Sequence, residues 1–229
     1  MKRTSLFLLI TAIAVFMISC GGTSKITEDV KTSENEGDIT KELSIGNQTW
    51  MTDNLSVDRF RNGDIIPEVA SKEEWEAAAE KKQPAWCYFE NNPENGERFG
   101  KLYNWYAVDD PRGLAPEGWR VSSYEDWHLL IDYLGGEAVA GNKIKSTELW
   151  SENEGEDGNG TNESGFNAMP GGNRNSAGNF YSLGFISAFW IYYEISEFDS
   201  SALIIYRNGS VNKAGRNKGE AYYVRCIKE

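Results

Sequence analysis

The chain has 229 residues, 35 acidic and 23 basic side chains, a net charge of −12, one histidine and three cysteines. That acidic balance argues against nucleic acid as a partner, because phosphates are held by Lys and Arg, and equally against docking on anionic lipid through the protein surface. A single histidine excludes sites built from two or three histidines and would leave any Ser-His-Asp triad dependent on His128 alone.

Lys2 and Arg3 precede an apolar run at residues 6–18. The run is shorter than the roughly 20 residues a bilayer span needs and reads as an export signal. It ends in Ser19-Cys20-Gly21-Gly22, a small residue before a cysteine, which resembles a bacterial lipobox. Residues 1–19 are then expected to be a lipoprotein signal peptide. Cys20 would carry the lipid that anchors the chain to the cell envelope, at the outer membrane, on its periplasmic or its outer face. Removal of Lys2 and Arg3 takes the net charge from −12 to −14. Residues 20–41 are rich in Gly, Ser, Thr and charged residues without apolar periodicity, so they cannot offset their ordering entropy and read as a tether. The remainder, 42–229, has the size of one domain and shows no internal repeat.

The domain opens with a predicted hairpin: Leu43 and Ile45 alternate with polar residues, Gly46-Asn47 turns, and Trp50 and Met51 continue. Ser71 and Glu74 form a candidate capping box for a surface helix that tucks Trp75 inward and runs toward Pro84. A strand at 85–89 carries Cys87. The segment LYNWYA at 102–107 is apolar on successive positions and reads as buried on both sides. After turns at Pro111, Gly113, Pro116 and Gly118, a second helix is expected with Ser122 capped by Glu125. Trp127, Leu130, Ile131 and Leu134 form its apolar face, and Gly135-Gly136 its stop. An acidic, glycine-rich loop spans 150–162. Strands at 188–195, 202–206 and 222–227 close the domain, with Asn208-Gly209 as a hairpin turn. Two helices, short strands and long loops make an α+β fold.

Five blocks in order, IGNQTWMTDNL (45–55), FGKLYNWYAV (99–108), LAPEGWRVSSYEDWHLLIDYLGG (114–136), GFNAMPGGNRNSAGNF (165–180) and YVRCIKE (223–229), resemble the Fibrobacter succinogenes major paralogous domain. The resemblance implies a C-type-lectin-like domain with two helices, small antiparallel sheets and long loops, related to formylglycine-generating enzymes. It brings no activity with it. This chain has Phe189-Trp190-Ile191 where the family usually has Trp-Trp-Ser, and Val121-Ser122-Ser123 where it has Val-Pro-Ser.

Formylglycine generation uses a cysteine pair in a late loop, whereas only Cys226 is late here and it falls in an apparent strand, so no enzyme is expected. An even pair of cysteines in an oxidising compartment points to a Cys87–Cys226 disulfide, closing a loop of about 140 residues. Oxygen-rich positions in the acidic loop, Asp157, Asn159 and Asn162, are the candidate ligands for calcium, set against a plain solvated loop; no other cofactor is implied. Trp190, Tyr192 and Tyr193 are the candidate ligand-binding aromatics, set against core packing, which is the stronger reading for Trp105, Trp119 and Trp127. The expected function is a lipid-anchored, non-catalytic binding or adhesion module with a glycan or protein ligand. The alternative is a structural or assembly component of a surface appendage or envelope complex.

Overall fold

The computed structural model describes residues 41–229. The signal peptide, Cys20 and nearly all of the tether lie outside the described residues.

The fold is α+β, with small antiparallel sheets and five α-helices among the described residues where the periodicity predicted two. β1 (Glu42–Ile45) and β2 (Gln48–Met51) form the predicted hairpin, with Ile45 opposite Gln48 and Gly46 at φ +60° in the turn. α1 (Lys72–Glu80) starts at the Ser71 cap, whose hydroxyl accepts from the Glu74 N–H. β3 (Trp86–Cys87) is followed by the short α2 (Pro93–Phe99), β4 (Leu102–Asn104) and the single turn of α3 (Trp105–Val108). Asn104 welds this region together. Its side-chain oxygen accepts from the Ala85 and Ala107 N–H groups, and its amide donates to the Gln83 carbonyl. Buried to 1% exposure, it is the polar exception in an apolar stretch and is satisfied at both ends.

β5 (Trp119–Val121) leads into α4 (Tyr124–Tyr133), which caps one residue later than the sequence predicted. Ser123 and Asp126 make the capping box, because Ser122 is held extended: its N–H donates to the Arg225 carbonyl and its own carbonyl accepts from the Tyr192 N–H. Gly135 and Gly136, at φ +103° and +90°, stop α4, with the Gly136 N–H returning to the Ile131 carbonyl. α5 (Glu137–Ile144) follows at once. Its weak apolar period and internal Gly141 hid it in the sequence. Gly141 is needed because a Cβ there would lie 2.0 Å from the Gly209 carbonyl oxygen in the turn of the last long hairpin.

Seven strands complete the chain: β6 (Gly171–Arg174), β7 (Phe180–Leu183), β8 (Ile186–Glu194), β9 (Asp199–Tyr206), β10 (Val211–Asn217), β11 (Ala221–Tyr222) and β12 (Cys226–Lys228). The predicted final strand is thus two short ones, because 221–222 pairs with β4 and β6 whereas 226–228 pairs with β2 and β5. Three sheets result, ordered β1-β2-β12-β5, β10-β9-β8 and β3-β4-β11-β6-β7.

Two apolar clusters lie on opposite sides of these strands. Phe189, Ile191, Leu203, Ile205 and Tyr223 feed one, around Trp50, Trp127 and Phe166. Their neighbours Ala188, Trp190, Ala202, Ile204 and Tyr222 feed the other, around Trp86, Trp105 and Trp119. Side chains alternate faces along a strand, so strands apolar at every position are those walled by core on both sides. The same alternation separates the cysteines. Cys87 points into the first cluster and Cys226 into the second, and both are free buried thiols in place of the expected disulfide. Burial pushes each thiol up to about 12.

Candidate functional site

The far end of β8 departs from its ladder. Ile191 pairs with Ser201 and Glu194 with Ser200, so Tyr192 and Tyr193 are bulged out between consecutive partners. A bulge bends a strand and re-aims its side chains. Here the freed backbone is taken up elsewhere: the Tyr192 N–H donates to the Ser122 carbonyl, and the Ser200 hydroxyl donates to the Tyr193 carbonyl. Both rings are exposed, at 50% and 57%.

Of the three aromatics the sequence proposed, the structure brings out two and withdraws one. Trp190 is buried. Its Nε1–H donates to the Tyr103 carbonyl at 2.8 Å, and its ring packs 5.3 Å from Trp105 and 4.8 Å from Tyr222. The expectation of an outward Trp190 fails because β8 has core on both faces up to Ile191. Trp105, Trp119 and Trp127 are buried as expected.

Tyr192 is oriented from below and from the side. Its ring lies 5.7 Å from Trp105 at an interplanar angle of 33°, and its hydroxyl donates to Asp109 Oδ1 at 2.9 Å. Partial burial, then the Asp109 carboxylate, raises the Tyr192 pKa, which keeps the phenol a neutral donor. Tyr193 lies 6.0 Å from Tyr124, the first residue of α4, which is itself half-exposed. Lys213 on β10 reaches over the Tyr124 ring at 4.6 Å, a cation–π contact. Two residues along the same face of β10, Gly215 leaves room for Ile195, whose side chain would lie 3.2 Å from an added Cβ. Tyr193 and Tyr124 thus form an exposed aromatic pair with a cation beside it, and Tyr192 is a second exposed ring whose hydroxyl is fixed by Asp109. Tyr124, Lys213 and Asp109 escaped the sequence reading. The Ser123 cap was a legible signal for Tyr124 at a helix start, whereas nothing local marked the other two.

The acidic loop is organised around its own backbone. Asp157 Oδ1 accepts from the Asn159 N–H, Asn159 Oδ1 from the Trp150 N–H, and Asn162 Oδ1 from the Asn167 N–H. The three proposed calcium ligands therefore close three separate turns. No group of three or more His, Cys, Asp or Glu side chains converges among the described residues. The loop instead lies over Lys145, whose ammonium is buried, stacks 4.7 Å from the Trp150 ring and donates to the Arg207 carbonyl at 2.6 Å. Burial lowers the Lys145 pKa to about 8, with the Asp157 charge acting in the opposite sense. His128 is exposed on α4, its Nε2 3.4 Å from an Asp132 oxygen one turn on.

Two concavities are relevant. A groove of about 480 Å³ lies between α1 and the segment 65–69, with Glu68, Glu74, Lys81 and Arg112 among its walls. A cleft of about 310 Å³ lies between the segment after β2 and the end of α2, and Arg225 lines it.

One family model, described as the Fibrobacter succinogenes major domain, matches residues 43–228. No curated protein and no solved structure matches the chain.

Proposed function

We propose, from the premise that this chain belongs to the Fibrobacter succinogenes major domain family, that it is a non-catalytic envelope module that binds glycan through the exposed tyrosines at the end of β8, Tyr192, Tyr193 and the neighbouring Tyr124. Its Cys20 lipid and its tether, which lie outside the described residues, would hold the domain at the outer membrane. The observation that carries the binding reading is the bulge in β8, which takes two adjacent tyrosines out of the ladder and leaves both exposed. Aromatic rings with fixed polar edges suit sugar rings, which offer apolar C–H faces flanked by hydroxyls. Small sheets and long loops around two cores support the finer reading of the scaffold as C-type-lectin-like, and function on such scaffolds sits on loops and strand ends. The oxygens of Asp157, Asn159 and Asn162 accept from three different backbone N–H groups, and no cluster of three or more His, Cys, Asp or Glu side chains forms among the described residues, so the tyrosines at the end of β8 are the better-supported site.

A glycan array probed with the domain tests this. Wild-type protein is expected to retain a defined set of glycans, and Tyr192→Ala and Tyr193→Ala each to weaken binding about tenfold, or roughly 1.4 kcal/mol. Binding that survives both changes overturns the assignment. The alternative, an assembly component, is favoured by a different observation: β7 is the edge of the five-stranded sheet and exposes Tyr181 and Leu183, with Phe185 just beyond. Edge strands of that kind pair with other chains. Concentration-dependent self-association, lost on Tyr181→Lys, would favour that role over glycan capture.

A further inference from the structure

Arg225 is a buried cation, 1% exposed, and no carboxylate among the described residues is within ion-pair distance of it. Buried charges are ordinarily paired, because an uncompensated one is costly. Arg225 is instead held by neutral oxygens. Nη1 donates to the carbonyls of Met51, Thr52 and Phe166, and Nε donates to Asn54 Oδ1. Among the described residues Nη2 has a single partner, the same Asn54 oxygen at 2.9 Å, and its second hydrogen has no acceptor there. The guanidinium stacks on Phe166 at 4.2 Å, which fixes its plane.

Arg225 also lines a cleft. Thr52, Asn54 and Arg225 line the concavity of about 310 Å³ together with Ser56, Asn167 and Arg98. Asn54 is locked in place by donating its amide to the Phe99 carbonyl at 2.8 Å. A fixed guanidinium edge with a spare donor, a second arginine at the rim, and hydroxyl and amide groups around them make an oxyanion receptor. Asp53 and Glu97 also line the cleft, and they repel a multiply charged anion more strongly than a singly charged one. We infer that this cleft binds a small, singly charged carboxylate bearing hydroxyl groups, with Arg225 and Arg98 taking the carboxylate and Thr52, Ser56, Asn54 and Asn167 serving the hydroxyls. A hexuronate has that chemistry. The inference is independent of the tyrosine surface, since the cleft shares no residue with it.

Burial pulls the Arg225 pKa down to about 9, with Asp53 opposing the shift, so the group is charged at neutral pH.

Calorimetric titration of the full-length protein with sodium D-glucuronate, and separately with inorganic phosphate, tests the assignment. Glucuronate is expected to bind, phosphate at least about tenfold more weakly, and Arg98→Ala, an exposed change that leaves the fold alone, to weaken glucuronate about tenfold. Arg225→Lys keeps a cation but loses the planar fork, and is expected to abolish binding with the near-UV circular dichroism retained. If that variant does not fold, Arg98→Ala and Asn167→Ala decide the matter. A Tyr192→Ala, Tyr193→Ala double variant should bind glucuronate as wild type does. Loss of binding in that double variant, unchanged affinity in Arg98→Ala, equal affinity for phosphate, or no heat at about 10 mM glucuronate would each overturn the proposal.

Discussion

Five cations are buried among the described residues of a chain whose net charge is −12; Lys218 pairs with Glu194 and Lys101 lies over the Trp86 ring, but Lys145, Arg174 and Arg225 are each held by backbone carbonyls or side-chain amides instead of carboxylates. A long side chain with several donors can gather carbonyls that no ladder satisfies, which is the role these last three share. The thiols face the opposite balance. Burial raises Cys87 and Cys226 from 9.0 to about 12, so each favours the folded state in its neutral form. The sign follows: this contribution is complete below the free-thiol value of 9.0 and is lost as pH rises through about 12. Denaturation midpoints are therefore expected to fall as pH is raised from about 9 toward 12. A thiol reagent at pH 8 should label neither cysteine in the folded protein and both in denaturant. Stoichiometric labelling of the native state, or failure to label the unfolded chain without prior reduction, would contradict the free-thiol arrangement.

At the level of elements, local signals and tertiary demands divide cleanly between α4 and α5. α4 announces itself by a cap, an apolar face and a double-glycine stop. Its start moved by one residue because Ser122 is held by the Arg225 carbonyl and the Tyr192 N–H, and the Ser123–Asp126 box is reinforced by Arg120, which donates to both Asp126 oxygens. Burial acts to raise the Asp126 pKa, but the Arg120 and Ser123 hydrogen bonds outweigh it and hold the carboxyl below its usual range. α5 has no such signature, and its Gly141 looks like a helix breaker until the β9–β10 turn is seen against it. Alanine is ordinarily the better helix former by about 1 kcal/mol. Here Gly141→Ala is expected to destabilise by about 1 to 3 kcal/mol, because the added methyl meets a backbone oxygen 2.0 Å away. Urea unfolding measures it, and a midpoint at or above wild type would show that the turn yields.

Across the whole molecule, the strands act as partitions between two cores, and a few long-range ties hold the pieces in register. Arg174 on β6 donates to the carbonyls of Val69, Ala70, Ser71 and Gly178 and lies between Trp75 and Phe180, at 4.5 and 4.7 Å, so it joins the five-stranded sheet to the start of α1. Arg174→Met is expected to cost about 2 to 4 kcal/mol, since it strands those carbonyls without donors. Arg112→Gln, in a fork with Asp110 and the exposed Asp64 at the surface, should cost clearly less than Arg174→Met. Equal losses in thermal unfolding would deny Arg174 its special role. By itself the sequence determined the hairpin at Gly46-Asn47, the cap of α1, the apolar face and double-glycine stop of α4, the α+β class, the family, and the burial of Trp105, Trp119 and Trp127. These follow from signals within a few residues, namely turn chemistry, capping and apolar spacing. Only the tertiary structure decided that Trp190 is inside while Tyr192 and Tyr193 are outside, that Tyr124 and Lys213 stand beside them, and that Cys87 and Cys226 face opposite cores. Each of those outcomes depends on which strand lies against which and in what register, and a register shift of one residue reverses a side chain's face without leaving a mark in the local pattern.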